Sequence, residues 1–211
     1  MKTLLKTASV LAALCAFATA STSLPAQNIT LPTPQKTGGM PLMEALAKRS
    51  SARTFDTARE LTPQQMSSLL WAGFGINRDD GRRTAPSASN KQENDLYVLL
   101  KTGAYLYDAK AGTLVLVAAG DQRELGGTQA FAKTAPLTVL IVADTARASN
   151  REMASADAGF ISQNMYLYCA SEGLATVVRA SVDRSKIAAA LSLKPSQWVV
   201  LGQSVGYAPK Q

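Results

Sequence analysis

Residues 137–143 form an apolar run entered through Pro136. A run this short and this apolar predicts a strand buried on both faces at the centre of a sheet, so whatever surrounds it must cover both faces. Three β-like runs precede it, at 96–101, 105–108 and 113–118, separated by Gly103 and by Ala111-Gly112, and they read as a meander. Two further strands are expected at 175–178 and 198–205.

The covering elements are helical. Leu42, Met43, Leu46 and Ala47 recur at helical spacing, and Lys48-Arg49 closes that helix where its dipole favours positive charge. Thr62 as N-cap, Pro63 at the first helical position, Gln65 completing a capping box and Leu61 placed to staple onto Met66 predict a helix running to about Gly73. A polar helical patch is expected over 121–132. The longest helix spans 149–172, with an apolar stripe of Ile161, Met165, Tyr168, Cys169 and Leu174 and a stop at Gly173. A last helix starts at Asp183 as N-cap and ends at Leu191. Helices flanking a sheet that contains a meander, without strict βα alternation, indicate an α+β fold. There is no G-x-G-x-x-G between a strand and a helix and no P-loop, so the usual dinucleotide and nucleotide signatures are missing.

The first 26 residues stand apart from this domain. Lys2 and Lys6 precede an apolar run from Ala8 to Ala18, which reads as a signal peptide directing export to the periplasm or the extracellular space. Cleavage is expected after Ala20 or after Ala26. The run is shorter than the ~20 residues that span a bilayer, so no stable membrane insertion of the mature chain is expected. Residues 27–40, rich in Thr, Pro and Gly, read as an extended arm, available to wrap a partner subunit, and 41–211 as one domain.

Composition narrows the chemistry. The chain has no histidine, which excludes Ser-His-Asp and Cys-His catalysis and the common zinc and iron constellations. Cys15 falls in the leader and Cys169 in an apolar helical stretch, so no disulfide forms within the mature chain. Of the 22 Lys and Arg, two belong to the leader, leaving 20 against 15 acidic residues, a net +5. The arginines are scattered or sit in short clusters without interleaved aromatics, a pattern that fits an anionic cofactor better than nucleic acid.

Two constellations can carry a site. Arg49-Ser50-Ser51-Ala52-Arg53 places two guanidinium groups and two hydroxyls where helix gives way to extended chain. Planar donor forks and hydroxyls suit a phosphate dianion, although a solvated basic helix end has the same composition. In the polar loop 77–95, Pro86, Ser87, Ala88, Ser89 and Asn90 present short polar groups that can bond a heteroaromatic edge or ribityl hydroxyls, or else make an ordinary polar loop.

Together and in this order, the two motifs resemble the nitroreductase-like flavoprotein superfamily. Its R-S-x-R-x-F type segment is matched by Arg49, Ser50 or Ser51, Arg53 and Phe55, and its P-S-x-x-N type loop by Pro86, Ser87 and Asn90. Asp157, Gly159, Gln163, Asn164, Leu167, Ala170, Gly173 and Leu174 look like its dimer-forming helix, and 206–210 like its terminal G-Y-P segment. Gly103, Tyr105, Tyr107, Asp108 and Leu114 are most similar to the SagB-type, azoline-oxidising dehydrogenases.

The resemblance implies a mainly antiparallel central sheet flanked by helices, a long dimer-interface helix and a homodimer. It implies FMN held by Arg49, Ser50, Ser51 and Arg53, with Ser87, Ala88 and Ser89 reaching across from the partner subunit. Thr176, Val177 and Val178 would lie beside the flavin ring and Lys210 would add a late positive contact. The function implied is an exported FMN-dependent oxidoreductase acting on a small organic substrate, with the flavin carrying the chemistry. An exported small-molecule or flavin-binding module without redox turnover is the alternative.

Overall fold

The computed structural model describes residues 27–210. In chain order the elements are β1 (Ile29–Thr30), α1 (Leu42–Lys48), α2 (Pro63–Phe74), β2 (Asn94–Leu99), β3 (Gly103–Asp108), β4 (Thr113–Ala119), α3 (Ala130–Thr134), β5 (Leu137–Asp144), α4 (Arg151–Glu172), β6 (Ala175–Arg179), α5 (Arg184–Ala190) and β7 (Gln197–Gly206). The strands make one seven-stranded sheet in the order β1-β4-β3-β2-β5-β7-β6, with every pairing antiparallel. This is the expected α+β fold. The predicted leader lies outside the described residues.

β5 is central, and all eight of its residues are buried. Because successive side chains alternate across a strand, β5 feeds two cores. On one face Val139 and Ile141 join Leu96 and Val98 of β2 under Leu69, Leu70 and Phe74 of α2 and Ile161, Met165 and Cys169 of α4. On the other, Leu140 and Val142 join Tyr97, Leu99 and Val199 against Ile187 of α5 and Leu191. A wholly buried leucine such as Leu69 contributes about 1.5–3 kcal/mol through its removal from water.

The capping signals hold in atomic detail. Thr62 Oγ1 accepts the Gln65 amide at 3.2 Å, and the Thr62 amide donates to Gln65 Oε1 at 3.0 Å. The same Gln65 oxygen accepts the Tyr207 hydroxyl at 2.6 Å, so the start of α2 also anchors the chain beyond β7. Asn150 caps α4, and Gly173 ends it in the left-handed region at φ 67°, where a Cβ would be penalised. Gly103 is required for a different reason: a Cβ there would stand 2.7 Å from the Ala118 carbonyl of the neighbouring strand.

Three expectations are corrected. The patch at 121–132 is not one helix, because Gly126-Gly127 divides it into a 3₁₀ turn, Arg123–Gly126, and the five-residue α3. β2 begins at Asn94, inside the stretch expected to be loop. The arm lies on its own chain: β1 pairs with β4, Ser67 Oγ donates to the Pro32 carbonyl, and the Met40 amide donates to Ser171 Oγ at 2.8 Å.

Candidate functional site

Around the hydroxyl of Tyr166, on α4, the chain draws the first constellation against β6. That hydroxyl shares a 2.8 Å hydrogen bond with Ser51 Oγ and accepts the Val178 amide at 2.9 Å. The Arg49 guanidinium lies 5.2 Å from the centre of the Tyr166 ring, and the Ala52 amide donates to the Thr176 carbonyl at 2.9 Å. Arg49 is half-buried, and Ser50, Ser51 and Arg53 are exposed. Neither arginine has a carboxylate partner among the described residues. The segment thus gathers two guanidinium groups without carboxylate partners, the Ser50 hydroxyl and a Ser51 hydroxyl shared with Tyr166, a donor set of the kind that suits an anion.

Beneath this surface β6 is locked by buried polar contacts. Ser162 Oγ donates to Gln203 Oε1, Gln203 Nε2 donates to Thr176 Oγ1, and Thr176 Oγ1 donates to the Ser204 carbonyl. The Thr176 side chain is therefore turned inward and saturated, and Val177 is buried in the apolar core region. Of the three β6 residues expected at the ring, Val178 alone is half-exposed. Lys210 is exposed on the tail beyond β7.

The next residue of β6, Arg179, is buried without a carboxylate. Its guanidinium donates to the carbonyls of Gly126 and Gly202, and burial lowers its pKa to about 10. Gly127 lies against it, where a Cβ would meet Arg179 Nε at 2.7 Å. Arg179 thus clips the Gly126-Gly127 break onto the sheet.

The second constellation stands elsewhere on α4. Ala88–Asn90 form a 3₁₀ turn in which Ser89, Asn90 and the following Gln92 have positive φ of 52°, 53° and 47°, a region that non-glycine residues enter at a cost. The turn is clamped from several sides. The Ala88 amide donates to Asp157 Oδ2 at 2.7 Å, the Gln92 amide donates to Ser87 Oγ at 3.0 Å, and Arg83 Nε donates to Gln92 Oε1 at 2.9 Å. Pro86, Ser89 and Asn90 are exposed, with Ser87 and Ala88 half-buried. From Asp157 to Tyr166 is nine residues of helix, about 14 Å at 1.5 Å per residue. The two constellations are thus anchored to α4 about 14 Å apart.

Sequence reasoning passed over Tyr166, Asp157 as a polar anchor, Gln203 and the buried Glu93. For Tyr166 the signal was polarity at helical spacing: Ser162 and Tyr166 stand four apart among the buried residues of α4. Tyr105, Tyr107 and Asp108, by contrast, have structural surroundings. Tyr105 is buried with its hydroxyl on Thr102, burial raises the Tyr107 pKa to about 12, and Asp108 accepts the Lys110 and Ala111 amides of a turn.

Part of the surface of α1 and α4 is apolar. Leu42 and Met43 are 61% and 75% exposed and Phe160 is 48% exposed, while Ala45 is the buried residue of α1. Gly159 sits beside Phe160 in mid-helix, and a Cβ there would meet nothing within 4 Å. No group of acidic residues and cysteines able to hold a metal occurs among the described residues, and none of their helices is long and apolar enough to cross a membrane.

An all-antiparallel sheet, a long helix packed on it and a basic segment braced to the strand after that helix define an α+β protein. The chain belongs to the nitroreductase family, whose profile it matches over residues 46–207. A solved structure of a candidate nitroreductase from Ralstonia eutropha JMP134 is 41% identical, with a TM-score of 0.82, covering 88% of this chain and 91% of that one. A nitroreductase-type protein of Methanocaldococcus jannaschii is 27% identical over 169 residues, 72% of this chain and 85% of the other. A candidate nitroreductase from Desulfovibrio desulfuricans, solved with FMN, superposes at a TM-score of 0.62 with 19% identity, over 82% of this chain and 89% of that one, a likeness of fold.

Proposed function

We propose that the mature protein is an exported FMN-dependent oxidoreductase, working as a homodimer that builds each flavin site from both subunits. The observation that carries this reading is the pair of uncompensated guanidinium groups, Arg49 and Arg53, set beside the Ser50 and Ser51 hydroxyls and braced to β6 through Tyr166. This donor set fits the phosphate and ribityl end of FMN. The separation of the two constellations along α4, and the apolar face of α1 and α4 with Gly159 open upon it, support a second copy of the chain supplying Ser87–Asn90.

When bound, FMN supplies the redox chemistry, taking a hydride from one partner and passing electrons to another. The chain supplies position. Arg49 and Arg53 would hold the phosphate through forked donors, Ser50 and Ser51 would satisfy its remaining acceptors, and Tyr166 keeps their segment against β6. Val178 offers an apolar wall, and Ser87, Ser89 and Asn90 offer donors and acceptors for a polar ring edge. No side chain is needed as nucleophile or metal ligand, in keeping with a chain that lacks histidine.

The Lys2, Lys6 and Ala8–Ala18 pattern supports export, and an exported enzyme meets no maintained nicotinamide pool, so the reductant or substrate in this reading is not free NAD(P)H. The Gly103–Asp108 strand supports the SagB-type dehydrogenases as the nearest subgroup, which makes azolines the first small substrates to assay. The cofactor reading is tested by titrating flavin-free protein with FMN and with riboflavin. Charge-assisted phosphate bonds worth about 1.5–3 kcal/mol predict FMN binding roughly 10- to 150-fold tighter. Equal affinities, or no binding of either, would contradict it.

A further inference from the structure

The Ser87–Asn90 turn is held by an arrangement that the proposed function does not use. Asp157 of α4, buried, has Oδ2 committed to the Ala88 amide. Beside it is Glu93, the residue before β2, which is 1% exposed. Glu93 Oε2 has no donor among the described residues. Two neighbouring carboxyl groups, neither paired with a cation of its own, have one hydrogen available to join them, a proton carried by Glu93.

The surrounding charges do not replace that proton. Arg147, in the loop after β5, is the nearest cation, and it is spoken for: Nη2 lies 2.5 Å from Asp95, Nε is 3.8 Å from Asp144, and Nη1 donates to the Gln92 carbonyl. Asn94 turns its Nδ2 to the Ala154 carbonyl of α4. Arg83, on the other side of the turn, is committed to Gln92 and the Phe74 carbonyl.

We propose that Glu93 keeps its proton and donates it to Asp157, forming a pH-sensitive latch that holds the left-handed Ser87–Asn90 turn on α4. Burial, reinforced by the Asp157 carboxyl, pushes the Glu93 pKa above the ordinary carboxylate range, against the opposing pull of its own backbone hydrogen bond and of Arg147. The sign follows from linkage. A folded-state pKa raised above the unfolded value gives a contribution that is complete below the ordinary carboxylate pKa and is lost as pH rises through the folded value. Above it, two carboxylates repel, Asp157 swings from the Ala88 amide, and Ser89, Asn90 and Gln92 relax from positive φ. The consequence for flavin affinity rests on the function proposed above; the latch itself does not.

The test is amide hydrogen exchange of residues 84–93 in the wild-type protein and in Glu93→Gln, from about pH 5 to about pH 9, compared as a ratio at each pH so that intrinsic exchange cancels. The carboxamide of that variant donates to Asp157 at every pH. The latch predicts a wild-type to variant rate ratio that rises about tenfold across the range, and a flat ratio overturns it. If the variant does not fold, wild-type exchange of 84–93 is referred to that of 197–206 in β7, with the same two outcomes. FMN dissociation, followed by flavin fluorescence, should increase with pH in the wild type alone. A rising exchange ratio in a protein that binds no FMN would sustain the latch and defeat the cofactor reading, while firm FMN binding with a flat ratio would do the reverse.

Discussion

The Tyr166 hydroxyl lies 2.8 Å from Ser51 Oγ, so a helix that covers the sheet also sets the position of the basic segment at its edge. The same oxygen accepts the Val178 amide. Replacing Tyr166 with Phe removes the anchor and leaves a part-buried amide without its acceptor, at a cost of about 1–3 kcal/mol. Urea unfolding should register that loss, and FMN affinity should fall by about tenfold. Unchanged stability and affinity would show that the brace is incidental.

Arg49→Ala and Arg53→Ala should each weaken FMN binding by roughly 10- to 150-fold, the range of a charge-assisted hydrogen bond, while leaving riboflavin binding nearly unchanged. The comparison isolates the phosphate, because both ligands carry the same ring. An equal loss for the two ligands would mean that the arginines shape the fold and do not grip an anion.

Gly159 has no neighbour among the described residues that requires it, and an exposed mid-helix glycine costs about 1 kcal/mol relative to alanine. In the proposed homodimer, a close approach by a second copy of α4 would account for it. Gly159→Leu and Phe160→Glu should therefore shift the protein from dimer to monomer in sedimentation equilibrium and release flavin. A dimer unaffected by both substitutions would place the interface on another face.

Much of the fold was legible because its signals are local. Thr62, Pro63 and Gln65 announce α2 by themselves, and the uniform burial of β5 follows from its apolar run. The Arg49–Arg53 segment stood out by composition alone, and the structure braces it to β6 through Ser51 and Tyr166. What stayed hidden depends on contacts far apart in sequence. Thr176 could not be seen to turn inward until Gln203 and Ser204 of β7 were placed beside it. Glu93 reads as one more charge in a polar loop, and only the packing of α4 brings Asp157 against it. The arm gave no hint of its partner, because a two-residue pairing to β4 carries no hydrophobic periodicity.

Cys169 is wholly buried, and burial pushes its thiol pKa up to about 12, which leaves almost no thiolate at neutral pH. A protein prepared without residues 1–26 should show no reaction with a thiol reagent when native and one reactive thiol when unfolded. Rapid labelling of the native protein would indicate that α4 opens readily above β6.

The central claim is a redox-competent flavin in a site built by two chains, and the most direct test is the visible spectrum of the purified protein, reconstituted with FMN, before and after dithionite. Flavin bands that stay with the dimer through gel filtration, bleach on reduction and return in air are the predicted result. A protein that retains no flavin, or one whose bound flavin never changes redox state, would contradict it and leave a binding module in its place.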